Sequence, residues 1–178
     1  WWANKFGVQA GAKYIDAFGV SNLDLQAETN IVRPYTYSHN TKSGSYSNFD
    51  QPIAHPLGAN FKEFIGIIRY QPVPKLNLAA KVITMQIGRD TVGFNFGSDI
   101  MKNNSYRKTY LTDSNFGNTI GQGVDNTIIM GTFTASWHLK HNLFIDVSAT
   151  IRNSKSAAAV FNNNSTITSL ALRWNIAQ

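Results

Sequence analysis

Ser136, His138 and Asp146 are the side chains of this sequence whose types match a nucleophile, a base and an orienting acid. Their spacing argues against that chemistry. Ser136 and His138 stand at i and i+2 in a segment that alternates as a strand, about 7 Å apart on one face, which is too far for the hydrogen bond that activates a nucleophile. A histidine in a polar wall fits better, so no catalytic residue is assigned. His39, Asp50 and His55 fall in one long loop and offer imidazole and carboxylate ligands, but without a ligand-spacing signature, so neither a metal nor any other cofactor is assigned. "GNTIGQG", from Gly117 to Gly123, has glycines but no Lys-Ser/Thr and no helix to follow, which removes a phosphate cradle.

Loop aromatics are the remaining chemical feature. Tyr35, Tyr37, Tyr46 and Phe49 lie beside His39, Asn40, Asn48 and Gln51, and Tyr106, Tyr110 and Phe116 lie among Asn103, Asn104 and Asn115. Aromatic planes with amides beside them suit sugar rings, which present an apolar face and a rim of hydroxyls. Tyr35, Tyr37, His39, Tyr46, Phe49, His55, Tyr106 and Tyr110 are therefore the candidate ligand-binding residues. The simpler expectation is that these aromatics pack the loops on one another and close the end of the structure. A partner protein would use the same surface.

Such loops need a frame, and two-residue alternation supplies it. Helical periodicity is hard to find in any window, whereas alternation recurs over Lys5–Ile15, Leu23–Tyr35, Lys62–Gln71, Leu76–Ile87, Asn126–Leu139, Asn142–Arg152 and Thr166–Ile176. These segments are long for a soluble sandwich, whose strands centre on about 5 to 6 residues, and match the 9 to 11 or so that cross a bilayer as tilted strands. The connections alternate between short (16–22, 72–75, 140–141) and long (36–61, 88–125, 153–165), so short ends share one side and long ends the other. Outer-membrane barrels have that asymmetry, with short periplasmic turns and long extracellular loops.

Composition is compatible with this frame. The 178 residues suffice for one domain, residues 1–178, and there is no cysteine, hence no disulfide framework and no thiolate site. Mean hydropathy is slightly negative, and no apolar run reaches the ~18 residues of a membrane helix, but alternating barrel strands average out to such values. The net charge of +6 is spread singly, with no basic cluster, so nucleic acid is not an expected partner. The chain opens on Trp1-Trp2, and seven strands is an odd number where bacterial barrels are even. A C-terminal portion of a larger barrel is expected.

Alternation also assigns faces. Phe133, Ala135 and Trp137, then Leu143, Ile145, Val147, Ala149 and Ile151, then Leu170, Leu172 and Trp174 form three successive apolar faces. Val8, Leu25, Phe64, Ile68 and Val82 belong with them, although Ile65, Ile67 and Ile83 blur the phase in the middle strands. Tyr14, Tyr70, Trp137 and Trp174 all fall near the strand ends that lead into short turns, the expected position of an aromatic girdle at a membrane interface. The opposite face carries Lys5, Lys13, Arg69, Lys81, Arg152 and Arg173 against Asp24, Glu28, Glu63 and Asp146. Such a wall lines water or forms a satisfied ion-pair network.

"NIVRPYTYSHN", "QPIAHPLGANFKEFIGIIRYQP" and "GNTIGQG" resemble the C-terminal half of Bacteroidota outer-membrane barrels related to the gliding-motility protein RemB and described broadly as Wzi-like capsule-assembly proteins. The resemblance covers about Leu23 to Gly123 and the final strands. The last strand also resembles a barrel-assembly signal, though the chain ends in Gln178 rather than an aromatic residue. The resemblance implies a non-enzymatic barrel at the surface of a Gram-negative cell. Its partners would be outer-membrane lipid and either surface polysaccharide or other outer-membrane proteins of a gliding or secretion apparatus. A porin-like channel, a secreted carbohydrate-binding β-sandwich and an outer-membrane enzyme are the alternatives.

Overall fold

The computed structural model of the chain describes residues 1–107 and 115–175. Its frame is an antiparallel meander in which β1 (Gly7–Tyr14), β2 (Leu23–Val32), β5 (Phe61–Val73), β6 (Leu76–Arg89), β7 (Val124–Lys140), β8 (Leu143–Ser156) and β9 (Asn163–Trp174) pair in chain order. A two-stranded hairpin, β3 (Ser47–Asn48) and β4 (Gln51–Pro52), sits in the β2–β5 loop. Each of the seven expected strands is present. The sheet is open: β1 pairs only with β2 and β9 only with β8, so these strands alone do not close a barrel. No helix among the described residues is long and apolar enough to cross a membrane, which says nothing about strands.

Three strand ends differ from expectation by three residues or more, and the others by two at most. The long loop expected over 153–165 shrinks to residues 157–162, because β8 and β9 continue upward through the Asn153–Asn164 and Ser154–Asn163 pairs. Asn and Ser have low strand propensity, but pairing with a long neighbour overrides it. At the third, β2 stops at Val32 rather than Tyr35. Pro34 has no N–H to give a ladder, and Tyr35 and Tyr37 then take φ of 63° and 70°, which turns the chain inward.

Short turns are built from local chemistry. Asp16 accepts from the Asn22 backbone N–H at 2.6 Å and so closes the β1–β2 turn, and Asn142 takes φ of 59° in the β7–β8 turn, where Asn tolerates the left-handed region.

Directly paired residues share a face, so the register settles the phase. Val8, Ile31, Lys62, Gln86, Thr127 and Lys155 form one row across the sheet. Phe64, Ile68, Val82, Phe133 and Ile151 belong to the same face, with Ile65, Ile67 and Ile83 on the other. No described segment covers the first, apolar face, and Leu172 there is 69 % exposed. The described parts of both long loops instead fold over the second, polar face. There Val32, Phe61, Ile87 and Ile128 of the sheet pack with Ala59 and Ile100 of the loops. This molecule's largest dry core therefore lies at one end of one face.

Candidate functional site

Four aromatic rings mark the short-turn end of the apolar face. The register carries Tyr14 across β2 to Ile68, across β6 to Phe133 and across β8 to Thr168. Tyr70 lies two residues beyond Ile68 toward the short turns after two strand steps, Trp137 four beyond Phe133 after four, and Trp174 six beyond Thr168 after six. The rings are thus collinear. One residue of about 3.3 Å per strand step of about 4.8 Å inclines their line by about 35° from the perpendicular to the strands. Strands tilted by about that angle set all four rings at one height, and membrane barrels tilt by about 35–45°.

The opposite limit of the apolar face, on β5 and β7, follows the strand register rather than the incline of the rings. Polar side chains begin at Lys62, eight residues above Tyr70, and at Thr127, ten above Trp137. Along strands tilted by about 35°, eight to ten residues rise by about 22–27 Å, close to the ~25 Å apolar band of membrane barrels. Between these limits β5 presents Phe64, Gly66 and Ile68, and β7 presents Ile129, Gly131, Phe133 and Ala135. β9 is less apolar in its upper half, with Thr166 and Thr168.

The ten expected wall charges all have the parity of the polar face, with Lys5 just ahead of β1. At the short-turn end they form ion pairs. Lys13 meets Asp24 at 2.8 Å, and Arg173 meets Asp146 at 2.7 Å while lying 4.3 Å from the Phe144 ring centroid. Arg69 donates to Gln26 at 3.2 Å. Lys81 and Arg152 occupy the same face by register. A cavity of about 470 Å³ opens there between Asp24, Arg69, Asn77, Thr134 and Ser136.

Toward the loops the chemistry changes. Glu28 accepts from Gln9 at 2.8 Å and Asn30 at 3.0 Å, and Glu63 accepts from Asn30 at 2.9 Å and lies 3.1 Å from His55. Among the described residues no Lys or Arg pairs with either carboxylate. His55 also accepts the Leu57 N–H at its Nδ1, which leaves Nε2 to carry the proton toward Glu63.

The candidate ligand residues do not form one site. Tyr35 is 1 % exposed and donates to the Asn95 carbonyl at 2.7 Å, and burial pushes its phenol up to about 12. His55 stacks on Phe61 at 4.5 Å and is half-buried, so Tyr35 belongs to the packed interior and His55 to its edge. Tyr37 and Tyr46 come together at 5.9 Å, the first half-buried and the second exposed. Phe49 stands at the tip of the β3–β4 hairpin, 92 % exposed, and His39 and Tyr106 are also exposed. Lys5 donates to Ser38 at 2.7 Å. Tyr110 lies outside the described residues.

What joins the two long loops is a set of polar residues that periodicity does not single out. Asn60, fully buried, donates to the Gly88 and Gln122 carbonyls at 2.7 and 2.8 Å and accepts the Gly121 N–H at 2.7 Å. Asp90 accepts backbone N–H groups of Phe96 at 2.7 Å and Asp99 at 3.2 Å, with Lys102 at 3.3 Å. Asn104 donates to the Ser38 carbonyl at 3.0 Å. The only hint in the sequence is "GAN" before a strand, a turn signal. Asn60 indeed has φ of 62°, but its role as a bracket depends on residues far along the chain.

The constellations first considered for chemistry do not assemble. Ser136 pairs across the ladder with Asp146, whose carboxylate is held by Arg173, while His138 stacks on Phe144 at 4.7 Å. Asp50 binds Lys42 at 2.8 Å and His55 binds Glu63, so these two potential ligands face different partners. "GNTIGQG" forms loop contacts: a Cβ at Gly123, where φ is 98°, would stand 2.7 Å from the Arg89 carbonyl oxygen, so only glycine allows this approach. Compared with known proteins, the chain matches no family model, no curated protein and no solved structure.

Proposed function

We propose that this chain is part of the wall of an outer-membrane β-barrel, with its short turns in the periplasm and its long loops at the cell surface. The collinear girdle carries the reading. Tyr14, Tyr70, Trp137 and Trp174 fall on one line whose slope is that of a barrel strand tilt. Packing of aromatics at the end of a soluble sandwich gives no reason for one residue of offset per strand. Two further observations support it: the apolar face has about the height of a hydrocarbon band on β5 and β7, and the described parts of the long loops lie on the other face and form no second layer over it. A contiguous apolar surface of this kind calls for lipid or a partner. On this reading the edges of β1 and β9 pair with further strands of the same barrel, since unpaired backbone groups in lipid cost several kcal/mol each.

The role is non-enzymatic, at the surface of a Gram-negative cell. Association with surface polysaccharide, or with a gliding or secretion assembly, rests on the family resemblance. Exposed Tyr46, Phe49 and Tyr106 are the loop residues placed to meet such partners. The test uses spin labels on the full parent protein in bilayers. Labels at 145, 170 and 172 should report hydrocarbon, and labels at 146, 169 and 173 should not. Equal, water-like signals from both sets would leave a secreted sandwich in front.

A further inference from the structure

We propose that the two long loops form a fixed cap across this wall. The charged lower half of the polar face is then a blind vestibule, reached from the short-turn side and shut off from the loop side. The inference rests on the barrel reading. It adds the direction from which solutes reach the lumen, which separates a porin-like passage from a closed surface protein.

Three observations carry it. First, the sheet residues that line the loop end are apolar and dry: Val32, Phe61, Ile87 and Ile128 are each at most 4 % exposed, against Ala59 and Ile100 from the two loops. A packed interior of this kind leaves no path for water along β5–β7, and the cavity of about 260 Å³ at the loop end lies to the side, between β1 and His55. Second, the cap is fastened by buried polar groups whose partners come from both loops and the wall. Asn60 spans the start of β5, the end of β6 and Gly121–Gln122, and Asn104 reaches Ser38. Each such bond, once made without water, is costly to break because the freed group stays buried. Third, the chemistry below the cap is that of a wet surface. Lys13, Asp24, Asp146 and Arg173 form partly exposed ion pairs, and the cavity beside Asp24 and Arg69 opens among the short turns, with Asp16 and Asn22 on its rim. Hinged external flaps would show exposed apolar undersides and few bonds to the wall.

Single-cysteine labelling of the full parent in whole cells tests the proposal. This chain contributes no cysteine of its own. Ala79 lines the lower cavity and Ser43 is exposed on a long loop. A membrane-impermeant maleimide added outside should label Ser43→Cys and spare Ala79→Cys, and after the periplasm is opened both should react. Asn60→Ala should raise outside labelling of Ala79→Cys by at least about tenfold, since it removes the buried hydrogen bonds to Gly88, Gln122 and Gly121 together. Ile100→Asp should do the same by wetting the core. Heat-modifiable migration on gels confirms that each variant remains folded.

Outside labelling of Ala79→Cys in the unaltered cap, at a rate near that of Ser43→Cys, would overturn the cap. So would folded Asn60→Ala and Ile100→Asp variants that both leave Ala79→Cys fully shielded. Failure of the barrel reading looks different: the spin label at 172 then reports water, whatever the accessibility of Ala79.

Discussion

The two ends of the polar face hold their charges in different ways. At the short-turn end the wall carboxylates meet cations, Lys13 with Asp24 and Arg173 with Asp146, and the pairs are partly exposed. At the loop end Glu63 is 7 % exposed and meets Asn30 and His55. Water explains the contrast. An exposed pair loses little hydration and gains little, whereas a carboxylate taken out of water must have its lone pairs filled by fixed donors. Order at the loop end therefore depends on geometry, and order at the turn end on mobile charge.

The contrast breaks most severely at its dry end. Phe61→Ala opens the packed loop-end core and should cost about 3–5 kcal/mol in urea unfolding of the refolded protein. A loss below about 1 kcal/mol would mean that the loop end is already loose. Leu170→Arg, four residues above Trp174 and so near the middle of the apolar band, should cost about 2–4 kcal/mol on the barrel reading, and the same assay in detergent of shorter chain length should shrink the effect. Asn60→Ala leaves buried partners unmatched and should cost about 1–3 kcal/mol, with faster hydrogen exchange at Gly121 as the local signature.

Two smaller effects sharpen the comparison. The Tyr35 phenol, raised to about 12 by burial, stays protonated in the folded state after an exposed tyrosine has ionised. Its folded pKa lies above the unfolded value near 10. Stability linked to it is therefore intact below pH 10 and falls as pH rises from 10 through 12. Subtracting the ultraviolet titration of Tyr35→Phe from that of the unaltered protein should isolate a single transition near pH 12, and one near 10 would place the ring in water. Last, Arg173→Leu removes a solvent-exposed pair and should leave unfolding unchanged within error, together with its salt dependence. A large loss there would show that the turn end is as dry as the cap.

Seven strands, the phase of the later ones and the four aromatic positions were legible because they rest on a local rule. Neighbouring residues on a strand point to opposite faces, so Leu170, Leu172 and Trp174 declare their side without reference to anything else. Boundaries were less so: β8 and β9 extend past the expected Arg152 and Thr166 because Asn153, Ser154 and Asn163 gain strand structure from each other. The aromatic loop residues were legible as a group but not individually. Tyr35 and Phe49 have similar surroundings in the sequence, yet one is buried and the other stands at a hairpin tip.

Sequence alone thus determined a long-stranded antiparallel sheet with one apolar and one charged face, since period, strand length and turn residues act over a few neighbours. Tertiary structure decided that the rings are collinear with a one-residue offset per strand, which only the register between strands defines. It also decided that the loops fold over the charged face rather than outward. That choice follows from brackets such as Asn60 to Gln122 and Asn104 to Ser38, whose partners are distant in the chain and are selected by the shape of the packed end.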